Sequence, residues 1–267
     1  RDKMALTLAV LITAVAIGYV VSDGYLWFPA SPERVTIVEV PDDARPTPRA
    51  FDGPYEPNNL LKAAKRLADG KVQGPETVIG DEDGNIFFME ETGRITWAPG
   101  GKTEAITLYA DVGGHPLGAQ FDKEGNLYIC DVGKGLLRVE PGGTRKVVFL
   151  TDRVSEDSPL DPGTRIHYAD DLDIAQDGTV YFSDGSTLPP IRVQSTGLYT
   201  AIETSHHELF QGPSGRLLSY NPATGRTHVL AKGLYFANGV AVSEDQTFVV
   251  VAATFSARLY RYWIQGP

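Results

Sequence analysis

The sequence predicts an all-β protein, a β-propeller with about four blades within its 267 residues, preceded by one transmembrane helix. Three observations carry that reading. A strand–turn–strand unit occurs four times, the composition suits short strands and tight turns, and an uncharged apolar run lies near the N-terminus.

The repeat unit is an apolar strand, a polar turn and a second apolar or aromatic strand. Its turns and second strands are 81–87 (DEDGNIF), 122–128 (DKEGNLY), 175–181 (AQDGTVY) and 243–249 (SEDQTFV). A third strand follows each, at 93–97, 135–139, 215–220 and 257–262, and a fourth is visible at 104–109, 146–150 and 227–231. Antiparallel units of four strands, recurring about every 40 to 70 residues, are the pattern of propeller blades, whereas an immunoglobulin-type sandwich does not repeat itself internally.

Composition agrees. Apolar residues make up 42% and aromatics 10%, with 28 Gly and 18 Pro, which excludes collagen, coiled coil and wholesale disorder. With 34 acids against 24 bases the net charge is −10, so a nucleic-acid partner is not expected. The lone Cys130 excludes an internal disulfide framework and a thiolate zinc site, and its place in mid-strand predicts a packed core thiol.

Residues 4–21 carry no charge, and at 1.5 Å per residue they make a helix of about 27 Å, close to the thickness of a bilayer core. Arg1 and Lys3 precede the run and Asp23 follows it, so residues 1–3 are expected in the cytosol and the rest on the far side, with Tyr25, Trp27 and Phe28 at the interface. That describes a single-pass type II protein. The alternative is a cleaved signal peptide with Ala14-Val-Ala16 as its small-residue site, which would give a secreted or vacuolar protein. Residues 22–56, rich in proline, read as a juxtamembrane segment. Residues 57–70 read as a short helix with Asn58 or Asn59 at its N-cap, and 71–267 as the propeller.

Eight residues before each turn glycine, or before Gln246 in the last unit, stand Glu76, Leu117, Asp170 and Asn238. All four fall near the start of the innermost strand, which lines the channel, and three carry side-chain oxygens. Carboxylate and amide oxygens without thiolate suit a hard cation, Ca²⁺ before Mg²⁺. The plain alternative is that these residues merely begin strands. The third unit has a long connection over 185–214, expected to act as a lid, and 151–166 is expected to open on the same face and help wall a pocket. His206-His-Glu208 lacks zinc-motif spacing and reads as lid surface, and no Gly-x-Ser-x-Gly elbow occurs.

Several stretches resemble the strictosidine synthase-like family, in the branch of adipocyte plasma membrane-associated protein. They are 57–67 (PNNLLKAAKRL), 74–77 (GPET), 115–118 (HPLG), 134–136 (KGL), 170–173 (DDLD) with 180–184 (VYFSD), 215–220 (GRLLSY), 236–240 (FANGV) and 261–266 (RYWIQG). The resemblance covers roughly residues 55–267. It implies a six-bladed propeller related to paraoxonases and gluconolactonases, lumenal in the endoplasmic reticulum or extracellular, with calcium held by residues matching Glu76, Asp170 and Asn238. Four blades do not close six, so it also implies a longer chain, with a further Asp-Asn calcium motif, and any acid/base glutamate of true strictosidine synthases, beyond Pro267.

Three positions depart from the family pattern. Asp170 replaces the usual Asn, Gly113-Gly-His replaces Cys-Gly-Arg, and Ala253 stands where the family has Glu. The resemblance implies a calcium-dependent hydrolase of aryl esters or lactones acting on a small-molecule substrate. His115, two residues before the inner strand of the second unit, and His167, three before Asp170, are by position the candidate bases. An amine–aldehyde condensing enzyme and a non-catalytic membrane-anchored scaffold are the alternatives.

Overall fold

In the computed structural model, residues 52, 53 and 56–265 are described. The cytosolic tail 1–3, the transmembrane helix 4–21 and nearly all of the juxtamembrane segment 22–56 lie outside the described residues. Among those described, no helix is long and apolar enough to cross a membrane. The chain divides into two compact units between Ala63 and Ala64.

In the first unit, the described residues form one 3-10 turn, Leu60–Ala63, begun by the Leu60 N–H donating to Asn58 Oδ1 at 3.1 Å. The helix expected over 57–70 is therefore corrected to this single turn. Leu60 and Leu61 stay exposed, and so short a segment does not hold a helix without a packed face.

The second unit is built on hairpins whose turns explain why the sequence repeats. Asp81 Oδ1 accepts the N–H groups of Asp83 (3.1 Å) and Asn85 (2.8 Å), and its Oδ2 accepts Asn85 Nδ2 at 2.7 Å. Asp122 does the same with Glu124 and Asn126. The glycine between them must turn left-handed, with φ of 77° at Gly84, 80° at Gly125 and 86° at Gly178. In the fourth repeat Gln246 takes φ 60° at the same point, and its Oε1 accepts the Gln176 N–H of the neighbouring turn at 2.8 Å.

Four antiparallel meanders result. Blade 1 is β1 (Pro75–Gly80), β2 (Ile86–Glu90), β3 (Arg94–Ala98) and β4 (Thr107–Asp111). Blade 2 is β5 (Pro116–Phe121), β6 (Leu127–Asp131), β7 (Gly135–Val139) and β8 (Val147–Thr151). Blade 3 begins with β9 (Ala169–Ile174) and β10 (Val180–Asp184). It is then interrupted by the hairpin β11 (Ile191–Arg192) and β12 (Tyr199–Thr200) and the helix α1 (Ile202–Gln211), and resumes with β13 (Gly215–Asn221) and β14 (Arg226–Leu234). Among the described residues blade 4 has β15 (Ala237–Val242), β16 (Phe248–Ala253) and β17 (Arg258–Trp263). The inner strands β1, β5, β9 and β15 lie side by side in that order, which is β-propeller architecture.

The core lies between blades. Phe87, Met89 and Ile95 meet Ala119, Ile129 and Leu137 between blades 1 and 2. Cys130, Leu136, Phe182 and Leu218 fill the next interface, and Tyr181, Leu217, Val249 and Val251 the third. The second strand of each of the first three blades is buried on both faces, so it reads as a continuous apolar run. Cys130 is fully buried, as its mid-strand place predicts.

Two expectations about connections resolve differently. The 185–214 insertion is ordered into a hairpin and a helix, and its Tyr199 and Ala201 pack against Leu117, Val132, Tyr168 and Phe236 at the starts of the inner strands. Residues 151–166 instead run beside the outer strand of blade 3. There Ser155 exchanges backbone and side-chain hydrogen bonds with Thr227, and Ser158 Oγ accepts the Val229 N–H. A half-paired outer strand offers free backbone groups, and this segment satisfies them. Its end, at Thr164 and Arg165, accepts hydrogen bonds from Arg216 at 2.8 and 2.7 Å.

Arg216 is itself buried against Asp184, with Nε and Nη2 at 3.1 and 2.6 Å from Oδ2. Arg216→Met should leave that carboxylate buried and unpaired, lowering unfolding free energy by about 3–5 kcal/mol. Urea denaturation of the two proteins measures the difference.

Candidate functional site

The four aligned positions share a structural feature that the spacing alone does not reveal. In β1, Pro75 pairs with Glu90 and Val78 with Phe88, so Glu76 and Thr77 share one partner residue. The same slip occurs at 117–118 in β5, 170–171 in β9 and 238–239 in β15. Each inner strand thus carries a β-bulge at one register, and a bulge re-aims side chains that strict alternation would send into the sheet face. Glu76, Leu117, Asp170 and Asn238 are the first residues of the four bulges.

The second residues of the bulges in β5 and β9, Gly118 and Asp171, join neighbouring blades. Asp171 Oδ2 accepts the Val240 N–H at 2.8 Å, and two residues on, Asp173 Oδ2 accepts the Val242 N–H at 2.8 Å. A Cβ on Gly118 would stand 2.5 Å from Asp171 Cα and 2.8 Å from the Asp170 carbonyl oxygen, so only glycine lets β5 approach β9 this closely. The 170–173 motif therefore divides its work, with Asp170 at the bulge apex and Asp171 and Asp173 bonded to β15.

Asp170 is 3% exposed. Burial first, then the charges of Glu76, Asp171 and Asp184, push its carboxyl well above the ordinary range, and no hydrogen bond among the described residues relieves it. Glu76 is exposed, and its Oε2 accepts the Thr77 hydroxyl at 2.8 Å. Its charge is felt at Asp170, at Asp171 and at the raised hydroxyl of Tyr168, so strands from blades 1 and 3 share one electrostatic neighbourhood. Asn238 sits half-buried on the adjoining bulge, beside Gly239, whose Cβ position is 3.8 Å from Asp171 Oδ2. Leu117 contributes no oxygen and packs with Val132, Tyr168 and Phe236.

Among the described residues no group of three or more His, Cys, Asp and Glu converges as a metal cluster. Glu76 and Asp170 offer two carboxylates here, and the Asn238 amide offers a third side-chain oxygen on the adjoining bulge. The donor set fits a hard cation on chemical grounds. A carboxylate that is buried, bonded to no donor and faced by further acids needs either a proton or a cation.

The two candidate bases have different surroundings. The His115 ring lies 6.1 Å from that of Tyr199, a residue of the insertion. Burial holds its pKa below the ordinary value, with Glu91 and Glu76 acting against that. His167 is also held low by burial, and Asp184, Arg165, Arg216 and Arg153 are its charged neighbours. Its backbone N–H donates to Asp184 Oδ1 at 3.1 Å, which puts it beside the Arg216 pair. Glu208, expected on the lid surface, is fully buried in α1. The sequence did not single out Tyr168 or Tyr199 and placed Glu208 on the surface, because their roles depend on contacts far apart in the chain.

These features define a β-propeller with an acidic, bulged channel mouth beneath an ordered insertion. Residues 170–267 match the strictosidine synthase family, and residues 53–96 match the N-terminal region of strictosidine synthase-like proteins. The chain belongs to the strictosidine synthase-like family. It is 31% identical to adipocyte plasma membrane-associated protein of Gallus gallus over 276 aligned positions, covering 98% of this chain and 59% of that protein. The chain spans about three fifths of the length of the curated relatives it matches.

Among solved structures, a gluconolactonase-type protein superposes with a TM-score of 0.55 at 16% identity, covering 75% of this chain and 63% of that one. Regucalcin of Agrobacterium tumefaciens, described as a calcium-binding protein, superposes with a TM-score of 0.50 at 15% identity, covering 75% of this chain and 58% of its own. These two likenesses support the fold.

Gly118→Ala should force β5 away from β9: the new methyl would meet Asp171 Oδ1, which can rotate aside, but also Asp171 Cα and the Asp170 carbonyl oxygen, which are backbone and cannot. A loss of about 1–3 kcal/mol in thermal or urea stability is expected, as for an overpacked core.

Proposed function

We propose that this chain supplies the channel mouth of a six-bladed, calcium-dependent hydrolase of aryl esters or lactones. Asp170 carries the reading: a 3% exposed carboxylate with acids around it and no donor among the described residues. An unpaired buried charge is costly, so this carboxyl takes either a proton or a cation, and the proposal assigns it the cation. Glu76, Asp170 and Asn238 are the residues that would hold Ca²⁺. When bound there, the ion would polarise a carbonyl and stabilise developing oxyanion charge. The likeness to a gluconolactonase-type structure and to a calcium-binding regucalcin supports both halves of the proposal.

The protein's own side chains suit the remaining tasks. His115 stays neutral near pH 7 because burial disfavours its cation, so its free ring nitrogen can take a proton from water. Glu76 and Glu91, the carboxylates that pull its pKa upward, would stabilise the imidazolium that forms. Leu117, Val132, Tyr168 and Phe236 form a buried apolar cluster that Tyr199 packs against at the starts of the inner strands, a dry floor beside these acids. His167, drawn toward Asp184, is the second candidate base.

Residues 4–21 complete the proposal as a membrane anchor, with the propeller on the lumenal or extracellular side. Similarity to adipocyte plasma membrane-associated protein supports it. Resistance of the full-length protein to carbonate extraction, with its propeller protected from protease in sealed microsomes, is the expected result.

The catalytic proposal predicts hydrolysis of phenyl acetate or a δ-lactone that EDTA abolishes and Ca²⁺ restores. His115→Gln should lower kcat by about 10²-fold or more while leaving the calcium-induced rise in melting temperature intact. Asp170→Ala, which removes the side-chain oxygens altogether, should weaken that rise. Full-length protein with no chelator-sensitive turnover of either substrate class would falsify the reading.

A further inference from the structure

An acid closes the second strand of each of the first three blades. Glu90, Asp131 and Asp184 stand opposite Pro75, Pro116 and Ala169, the residues just before the inner-strand bulges. All three acids are buried. Their targets are backbone N–H groups around the start of the inner strand, which have no ladder partner of their own. Glu90 Oε2 accepts from Gln73 at 3.3 Å. Asp184 Oδ1 accepts from Tyr168 at 2.7 Å and from His167 at 3.1 Å. Asp131 fits less fully: its Oδ1 accepts from Gly133 of the β6–β7 turn at 3.0 Å, its Oδ2 has no hydrogen-bond partner among the described residues, and the nearby His115 N–H, just before β5, favours its charged form. A buried donor without an acceptor is expensive, which gives each acid its place.

Blade 4 lacks the acid. Ala253 pairs with Ala237 at this same register, and nothing on an alanine side chain can accept a proton. The Phe236 N–H, immediately before Ala237, is nevertheless satisfied: it donates to Glu208 Oε2 at 3.2 Å. Glu208 belongs to α1, in the insertion of blade 3, and is fully buried. The same carboxylate also accepts the Ser186 hydroxyl at 2.8 Å, the Ser214 N–H at 3.1 Å and the Ser214 hydroxyl. Ser186 and Ser214 are the two ends of the insertion, so one side chain ties both ends to the start of β15.

We propose that Glu208 is a positioning residue that replaces, from the lid helix, the acid missing at Ala253, and so fixes α1 and the strand bearing Asn238 as one unit. Displacing α1 then frees the Phe236 N–H, two residues from Asn238. Movement of the lid and the aim of that amide are coupled through a single carboxylate. The proposal concerns contacts within the chain and stands whether or not the site takes calcium.

Amide hydrogen exchange followed by mass spectrometry on the full-length protein tests it, with no metal or substrate needed. Peptides spanning 235–242, 202–211 and, as a control, 127–139 are compared in the native protein, Glu208→Ala, Glu208→Gln and the double variant Glu208→Ala/Ala253→Asp. Loss of one buried acceptor should speed exchange about tenfold at the start of β15 and in α1, with the control strands unchanged. Glu208→Gln, which keeps one acceptor oxygen, should fall between the two, and it takes the place of the alanine variant if that one does not fold. Adding Ala253→Asp should restore slow exchange in β15 while α1 stays fast. Unchanged exchange in β15 on loss of Glu208 overturns the proposal. So does equal acceleration in the control strands, which marks general destabilisation, and so does a double variant in which β15 stays fast.

Discussion

An inner strand in perfect antiparallel register alternates its side chains between two sheet faces, and in a propeller both faces are packed against neighbouring blades. A functional group aimed along the channel therefore has to escape the alternation. Here the escape is one extra residue inserted into β1, β5, β9 and β15 at the same level. Bulges of this kind interrupt the ladder locally and bend the strand. The cost is unpaired backbone at the start of each inner strand, and much of the buried polar chemistry of this protein serves to meet it.

That constraint sorts the acids. Asp170 sits at a bulge apex and bonds to no donor among the described residues. Asp171 and Asp173, from the same strand, accept N–H groups of β15 and hold blades 3 and 4 together. Glu90, Asp131, Asp184 and Glu208 close the starts of the inner strands. Asp184 requires Arg216 as a counter-charge, whereas Glu208 is met by hydroxyl and backbone donors. A net charge of −10 thus describes more than an acidic surface, since several acids are spent in the interior.

The insertion of blade 3 gains meaning from the same argument. Its length marked it as a lid, and Tyr199 does reach the cluster of Leu117, Tyr168 and Phe236 near the channel mouth. Glu208 was misread as lid surface because a glutamate beside two histidines on a polar helix looks solvated from sequence. The clue lay far away, in the alanine at 253 where the first three blades carry Glu90, Asp131 and Asp184. Linking positions 208 and 253 requires knowing that both converge on the Phe236 N–H. The residues 57–70 failed in the opposite sense, because Leu60, Leu61 and Leu67 of the expected stripe stay exposed and Ala68 packs on the core from a non-helical backbone.

Local chemistry was legible without coordinates. The Asp-x-x-Gly-Asn turns, the fourfold repeat, the buried cysteine and the register of Glu76, Asp170 and Asn238 all follow from spacing, because hairpins are closed by residues four or five apart and count the same in every blade. Tertiary structure alone decided that this register is a line of bulges, that 151–166 pairs with an outer strand, and that Glu208 serves a blade other than its own. Those outcomes depend on which unpaired backbone groups come to lie within about 3 Å of which side chains, a matter of packing between sheets that no local pattern encodes.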